Sequence, residues 1–183
     1  MNRIISTFSF LIFLSLFACT DDDSNILSSN NEYVPGELVV GIIPQTQISQ
    51  AFELMNQYDF YIDHASGFEY SSPWPNDSLE YITQYLSAIP YLNNYGFGPG
   101  AFYHELENKI IIMPYFSEMN LANQSDWLNQ IDLLELEESN TDFAHLLIKV
   151  PVGKEIYWRD ELKKNGIVEW VELNYIAHIT HKN

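Results

Sequence analysis

Apolar positions along the chain fall into short runs of two different periods. Residues 37–43, Glu-Leu-Val-Val-Gly-Ile-Ile, form a nearly unbroken apolar run after a Pro35-Gly36 turn, which predicts a central strand. Ile48, Ala51, Phe52 and Met55 then recur at i, i+3, i+4 and i+7. That spacing predicts one apolar helix face ending near Gln57, with Thr46 as its N-cap. Residues 58–64 predict a second strand. The order returns near the other end of the chain. Residues 143–150 predict a strand closed by Pro151, and residues 154–164 a helix carrying Ile156, Trp158 and Leu162. Lys163 and Lys164 fall in its last turn, where cations complement the helix dipole. Asn165-Gly166 predicts the helix stop, with Gly166 in the left-handed conformation. Residues 167–176 predict a last strand whose apolar positions are Val168, Trp170, Leu173 and Ile176.

Two β-α-β units in one small domain predict an α+β, ferredoxin-like β-α-β-β-α-β fold. Its sheet would be antiparallel and four-stranded, with both helices on one face. A large α/β insertion, residues 71–141, separates strands 2 and 3. Within it, Asp77-Ser-Leu-Glu80 predicts a capping box, and Leu79, Ile82, Leu86 and Ile89 a helix stripe stopped by Pro90. The Gly96-Phe-Gly-Pro-Gly100 loop has neither the lysine nor the following helix of a phosphate loop. Residues 101–105 and 109–116 predict a hairpin turning near Glu107-Asn108. Ser125 is the expected cap of a helix carrying Trp127, Leu128 and Ile131. Residues 133–138 fit either its continuation or a strand.

The first residues change the picture of location. Met1-Asn-Arg3 and the apolar residues 4–17 form a secretory leader too short for a spanning helix. Leu16-Phe17-Ala18-Cys19 resembles the lipobox of bacterial lipoproteins, and Cys19 is the one cysteine in the sequence. The resemblance implies cleavage before Cys19, its acylation, and an envelope-located, outer-membrane lipoprotein attached to the membrane through that lipid anchor. An ordinary leader would carry a cysteine there only by chance. The Asp21-Asp22-Asp23 run resembles a surface-export signal and also suits a solvated tether. Residues 19–32 read as a flexible linker.

The sequence has 183 residues and a formal net charge of −17, with 46% hydrophobic and 15% aromatic residues. That apolar content supports a folded core, and the charge excludes a nucleic-acid partner. The five histidines are scattered, with no zinc-type spacing, so neither metal nor cofactor is expected. No Gly-x-Ser-x-Gly motif is present, and a non-enzymatic protein is expected.

Tyr33-Val-Pro-Gly-Glu-Leu-Val-Val40 resembles the opening strand of the fervidolysin-type subtilase prodomain. Val168-Glu-Trp-Val-Glu-Leu-Asn-Tyr-Ile-Ala-His178 resembles the closing strand of subtilisin-type propeptides, the peptidase inhibitor I9 family. The resemblance covers residues 33–67 and 143–180 of an expected domain at 33–180, with residues 181–183 as a tail. It implies that the helix-free sheet face docks on a subtilisin-like serine protease. It also implies that Glu172 and Asn174 cap protease helices in trans, and that Ala177, His178, Ile179 and Thr180 enter the substrate cleft as a product mimic. The sequence carries no protease domain. The expectation is therefore a stand-alone inhibitor or trans-acting chaperone. The alternative is a surface lipoprotein that binds glycan or peptide through the aromatic-rich insertion, with no protease role.

Overall fold

The computed structural model describes residues 32–92, 98–139 and 143–176. In chain order the strands and helices are β1 (Tyr33–Ile42), α1 (Ile48–Gln57), β2 (Tyr61–Ser66), β3 (Glu69–Ser72), α2 (Leu79–Ser87), β4 (Gly100–His104), β5 (Lys109–Met113), β6 (Phe116–Met119), α3 (Leu121–Leu133), β7 (Glu137–Ser139), β8 (His145–Lys149), α4 (Glu155–Leu162) and β9 (Val168–Tyr175). They form a mixed α and β domain with four helices and two antiparallel sheets among the described residues. One sheet has the order β6-β2-β8-β1-β9 and the other β4-β5-β3-β7.

The apolar periods explain the layers. Leu38 and Val40 of β1 sit opposite Ile148 and Leu146 of β8, and all four are fully buried. Ile48, Ala51, Phe52 and Met55 of α1, with Leu162 of α4, cover that face of the five-stranded sheet. Tyr58, just past α1, meets Trp158 of α4 with ring centroids 5.3 Å apart, so both helices lie on the same side. The core continues into the second sheet through Tyr70, Ile110 and Ile112, over which Ile82 and Leu86 of α2 are buried.

Several sequence expectations are corrected. The first sheet has five strands rather than four, because β6 leaves the intervening segment and pairs with β2 (Ile62 opposite Met119). Phe116 therefore opens β6 and does not end the hairpin strand. The second strand begins three residues late, since Tyr58 closes α1 and Asp59 takes φ +56°. Gln47, not Thr46, precedes α1, and its N–H donates to Gln50 Oε1 at 3.0 Å. The cap of α3 is Asn120, not Ser125; its Oδ1 accepts from the Ala122 and Asn123 N–H groups, both at 3.0 Å. No capping box forms at Asp77, which lies in a 3-10 turn ahead of α2.

Residues 133–138 divide: α3 ends at Leu133, Glu135 turns at φ +52°, and β7 follows. Gly166 does not take a positive φ. The stop after α4 is instead made by Asn165, whose Oδ1 accepts from Ile167 N–H at 3.1 Å. Gly67 carries the sharper backbone demand. At φ +78° it turns the chain from β2 into β3, and a Cβ there would lie 2.3 Å from the Phe143 carbonyl oxygen.

Candidate functional site

The site begins with which side chains the pleat turns away from the helices. Cross-strand register sorts them into three rows on the helix-free face. Ser66, His145, Gly41 and Trp170 form one row. Ser117, His64, Leu147, Val39 and Glu172 form the next. Tyr61, Lys149 and Glu37 continue the pattern, and Asn174 closes that row by donating from Nδ2 to Glu37 Oε2 at 2.5 Å.

Each row has its own chemistry. In the first, Trp170 lies over Gly41, where a Cβ would come within 2.1 Å of Trp170 Cε2. Trp170 is therefore not a core position, as the alternating pattern had implied. A register irregularity between Gly41 and Ile42 brings both Val168 and Val171 into the core and leaves the indole outside. Gly41→Ala is expected to push the indole off the face and cost about 1–3 kcal/mol. Acrylamide quenching of Trp170 should rise accordingly, with Trp170→Phe as the reference for that signal.

At the other end of the row, His145 Nδ1 lies 3.0 Å from the Phe143 carbonyl oxygen and Nε2 3.1 Å from Ser66 Oγ. A carbonyl only accepts, so Nδ1 carries the proton and Nε2 accepts from the Ser66 hydroxyl. This pair fixes the end of β8 against β2. Beside it a depression of about 170 Å³ is walled by His64, Tyr115, Leu147 and Asn174.

The third row is an ionic network. Lys149 Nζ pairs with Glu37 Oε1 and lies 3.2 Å from Asp63 Oδ2. The hydrogen bond that Lys149 donates to Glu37 holds the Lys149 pKa above its ordinary value, against the opposing effect of burial. Asp63 reaches this network because the β2–β8 register shifts between Ile62 and His64.

Glu172 is exposed on β9, opposite Val39, and β9 is an edge strand of its sheet. Glu172 and Asn174 thus share the helix-free face. Asn174 is already bonded within the sheet, through its amide N–H; a helix cap would use the amide oxygen. Ala177, His178, Ile179 and Thr180 lie outside the described residues, as does Cys19. The sequence reading missed Glu37, Lys149 and the Ser66–His145 pair. The signal for two of them was present: His145, Leu147 and Lys149 alternate with the apolar Leu146 and Ile148.

Among the described residues no cluster of three or more His, Cys, Asp or Glu could hold a metal ion. No described helix is long and apolar enough to cross a membrane. Comparison with protein-family models, curated proteins and solved structures finds no match to this chain.

Proposed function

We propose that the chain is a lipid-anchored, propeptide-like domain of the ferredoxin-like type that inhibits or chaperones a subtilisin-like serine protease, without catalysing a reaction itself. One observation carries the reading: edge strand β9 bears Glu172 on the helix-free face, beside strands in the order β2-β8-β1-β9. That order suits two β-α-β units interleaved in one antiparallel sheet. An exposed carboxylate on an uncovered sheet face is what capping a partner's helix in trans requires. An edge strand leading into a tail suits strand addition in a substrate cleft. The roles of Ala177, His178, Ile179 and Thr180 rest on the sequence resemblance alone. The same holds for the lipid on Cys19 and the outer-membrane location.

In this reading the purified chain inhibits a subtilisin-like protease competitively. Glu172→Ala raises the inhibition constant by about five- to tenfold, an N-cap being worth ~1 kcal/mol. Removing residues 177–183 raises it further. Absence of inhibition across several such proteases, with the fold intact by circular dichroism, refutes the reading.

A second reading draws on Trp74, Tyr81 and Tyr85. Neighbouring rings in this trio have centroids 6.2 Å apart and interplanar angles of 16° and 23°. Tyr81 is 57% exposed. Such a stack offers a surface for a glycan or peptide. In that case Tyr81→Ala, not Glu172→Ala, removes the binding.

A further inference from the structure

On the helical side of the domain, α1 and α3 run beside each other, tied where Asn56 Nδ2 donates to Gln124 Oε1 at 2.8 Å. Between them lie three depressions of about 490, 520 and 230 Å³. Ser49 and Leu128 line both the first and the second. Asn56, Leu121 and Gln124 line both the second and the third. The first two therefore adjoin as one trough, and the Asn56–Gln124 pair separates it from the third depression at its end. Its α1 wall is Ser49, Phe52, Glu53 and Asn56, spaced i, i+3, i+4 and i+7. Its α3 wall is Leu121, Gln124, Ser125 and Leu128, with the same periodicity. The 13 residues of α3 give it a length of ~20 Å.

Phe52 and Gln124 form the floor, Leu121 and Leu128 give an apolar lip, and acidic residues stand at the flanks. Phe52 is buried, whereas Leu121 is 69% exposed and Leu128 37% exposed. Asp59 lies at one end, Glu53 in the middle and Asp132 at the other end. No lysine or arginine lines any part of the trough. Glu137 and Glu138 also border it but have other work. Glu137 is paired with Lys109, and Glu138 accepts from Ile48 N–H and Tyr70 Oη.

We propose that the α1–α3 trough docks an amphipathic helix whose apolar stripe seats on Phe52, Leu121 and Leu128 and whose flanks carry Lys or Arg. Leu121 and Leu128, seven residues apart on α3, with Phe52 of α1 between them, offer an apolar seat for a third helix, and a helix of three to four turns matches the length of α3. The flanking charges Glu53, Asp59 and Asp132 select a basic partner and reject an acidic one. A second copy of this chain is disfavoured, since its net charge is −17. The trough is on the opposite side of the five-stranded sheet from Glu172, so this docking stands or falls independently of protease binding.

The test is fluorescence anisotropy of a labelled Leu–Lys amphipathic helix of roughly 14 residues, titrated with the full chain. A Leu–Glu version of the same peptide is the charge control. The Leu–Lys peptide is expected to bind with about micromolar affinity and the Leu–Glu peptide about 100-fold more weakly. Leu121→Ser with Leu128→Ser, both at exposed positions, should weaken binding about tenfold, as should Glu53→Lys with Asp132→Lys. Phe102→Ser on β4 should leave it unchanged, and thermal melts of every variant confirm folding. No binding of the Leu–Lys peptide overturns the proposal. Binding that ignores the trough substitutions also overturns it, because it would then be unspecific attraction to an acidic surface.

Discussion

Replacing Trp127 with alanine is expected to cost about 3–5 kcal/mol and to lower the melting temperature by roughly 10 °C. Trp127 of α3 is fully buried where three layers meet. Its ring stands edge-on to Phe116 of the five-stranded sheet (centroids 5.0 Å apart, 72°) and to Tyr70 of the four-stranded one (5.1 Å, 77°). Its Nε1–H donates to Tyr70 Oη at 3.1 Å, and that hydroxyl donates to Glu138 Oε1 at 3.2 Å. The Glu138 carboxylate in turn accepts the Ile48 N–H at the start of α1, at 3.2 and 3.3 Å to its two oxygens. One side chain thus joins α3, both sheets and the N-terminus of α1. Alanine leaves a cavity and breaks the first hydrogen bond in the chain. Trp127→Phe keeps most of the packing and removes chiefly the N–H, so its loss should be only about 1–2 kcal/mol. Urea unfolding of the two variants separates these effects. A Trp127→Phe variant as stable as the wild type would mean that the Trp127–Tyr70 bond carries little.

Glu155→Ala is expected to cost about 1–3 kcal/mol, because it strands the buried Gly36 N–H and leaves the exposed Gly153 N–H to water. Glu155 opens α4 and is only 2% exposed. Its Oε1 accepts the Gly36 N–H at 2.7 Å and the Gly153 N–H at 3.0 Å. It thereby fastens the start of β1 to the start of α4. The Gly153 N–H first, then the N–H of Glu155 itself, then that of Gly36, hold its pKa below the ordinary carboxylate value against the cost of burial. A carboxylate with a lowered folded-state pKa contributes stability that is present above its unfolded pKa, about 4.3. That contribution is lost as pH falls through the folded value. Glu155→Gln retains an acceptor oxygen without the charge, so it should be milder than alanine. The gap between wild type and Glu155→Gln should be full at neutral pH and close below about pH 4. A gap that stays constant on acidification would show that the charge contributes nothing. Glu138 has the opposite sign. Burial, outweighing its bonds to Ile48 and Tyr70, raises its pKa, so its ionisation weakens the fold as pH rises.

Neither carboxylate announces itself in the sequence, and the reason is general to this chain. Local periodicity made the two β-α-β units legible: Ile48, Ala51, Phe52 and Met55 mark α1 whatever they pack against. The chain orders β1-α1-β2 and β8-α4-β9 followed from that. Features that depend on pairing between distant segments did not. Phe116-Ser-Glu-Met119 has no strand pattern of its own and becomes β6 only because β2 offers it an edge. Helix starts were misplaced at Thr46 and Ser125 because several polar residues near each start suit an N-cap, and backbone geometry chooses among them. On the candidate face, Leu173 beside the exposed Glu172 was read as an apolar position, whereas the burial of Val171 on its other side was not. The seat of Trp170 over Gly41 was not legible, because it depends on a register irregularity between β1 and β9. The Glu37–Lys149–Asp63 network likewise exists only once three strands are aligned.

The position of β1 has a consequence for how the domain comes into being. The first strand of the fold lies between β8 and β9, so its sheet partners come from the far end of the chain; Asn174 and Glu37, which bond across it, are 137 residues apart. Until β8 emerges β1 has no partner among the described strands, and its other side stays open until β9 follows. Contacts so distant in sequence must close large loops before they stabilise anything, which places folding among the slow, millisecond-to-second cases. Refolding should therefore be limited by the docking of β8 and β9 onto β1, so that this inner strand of the sheet is among the last to be secured.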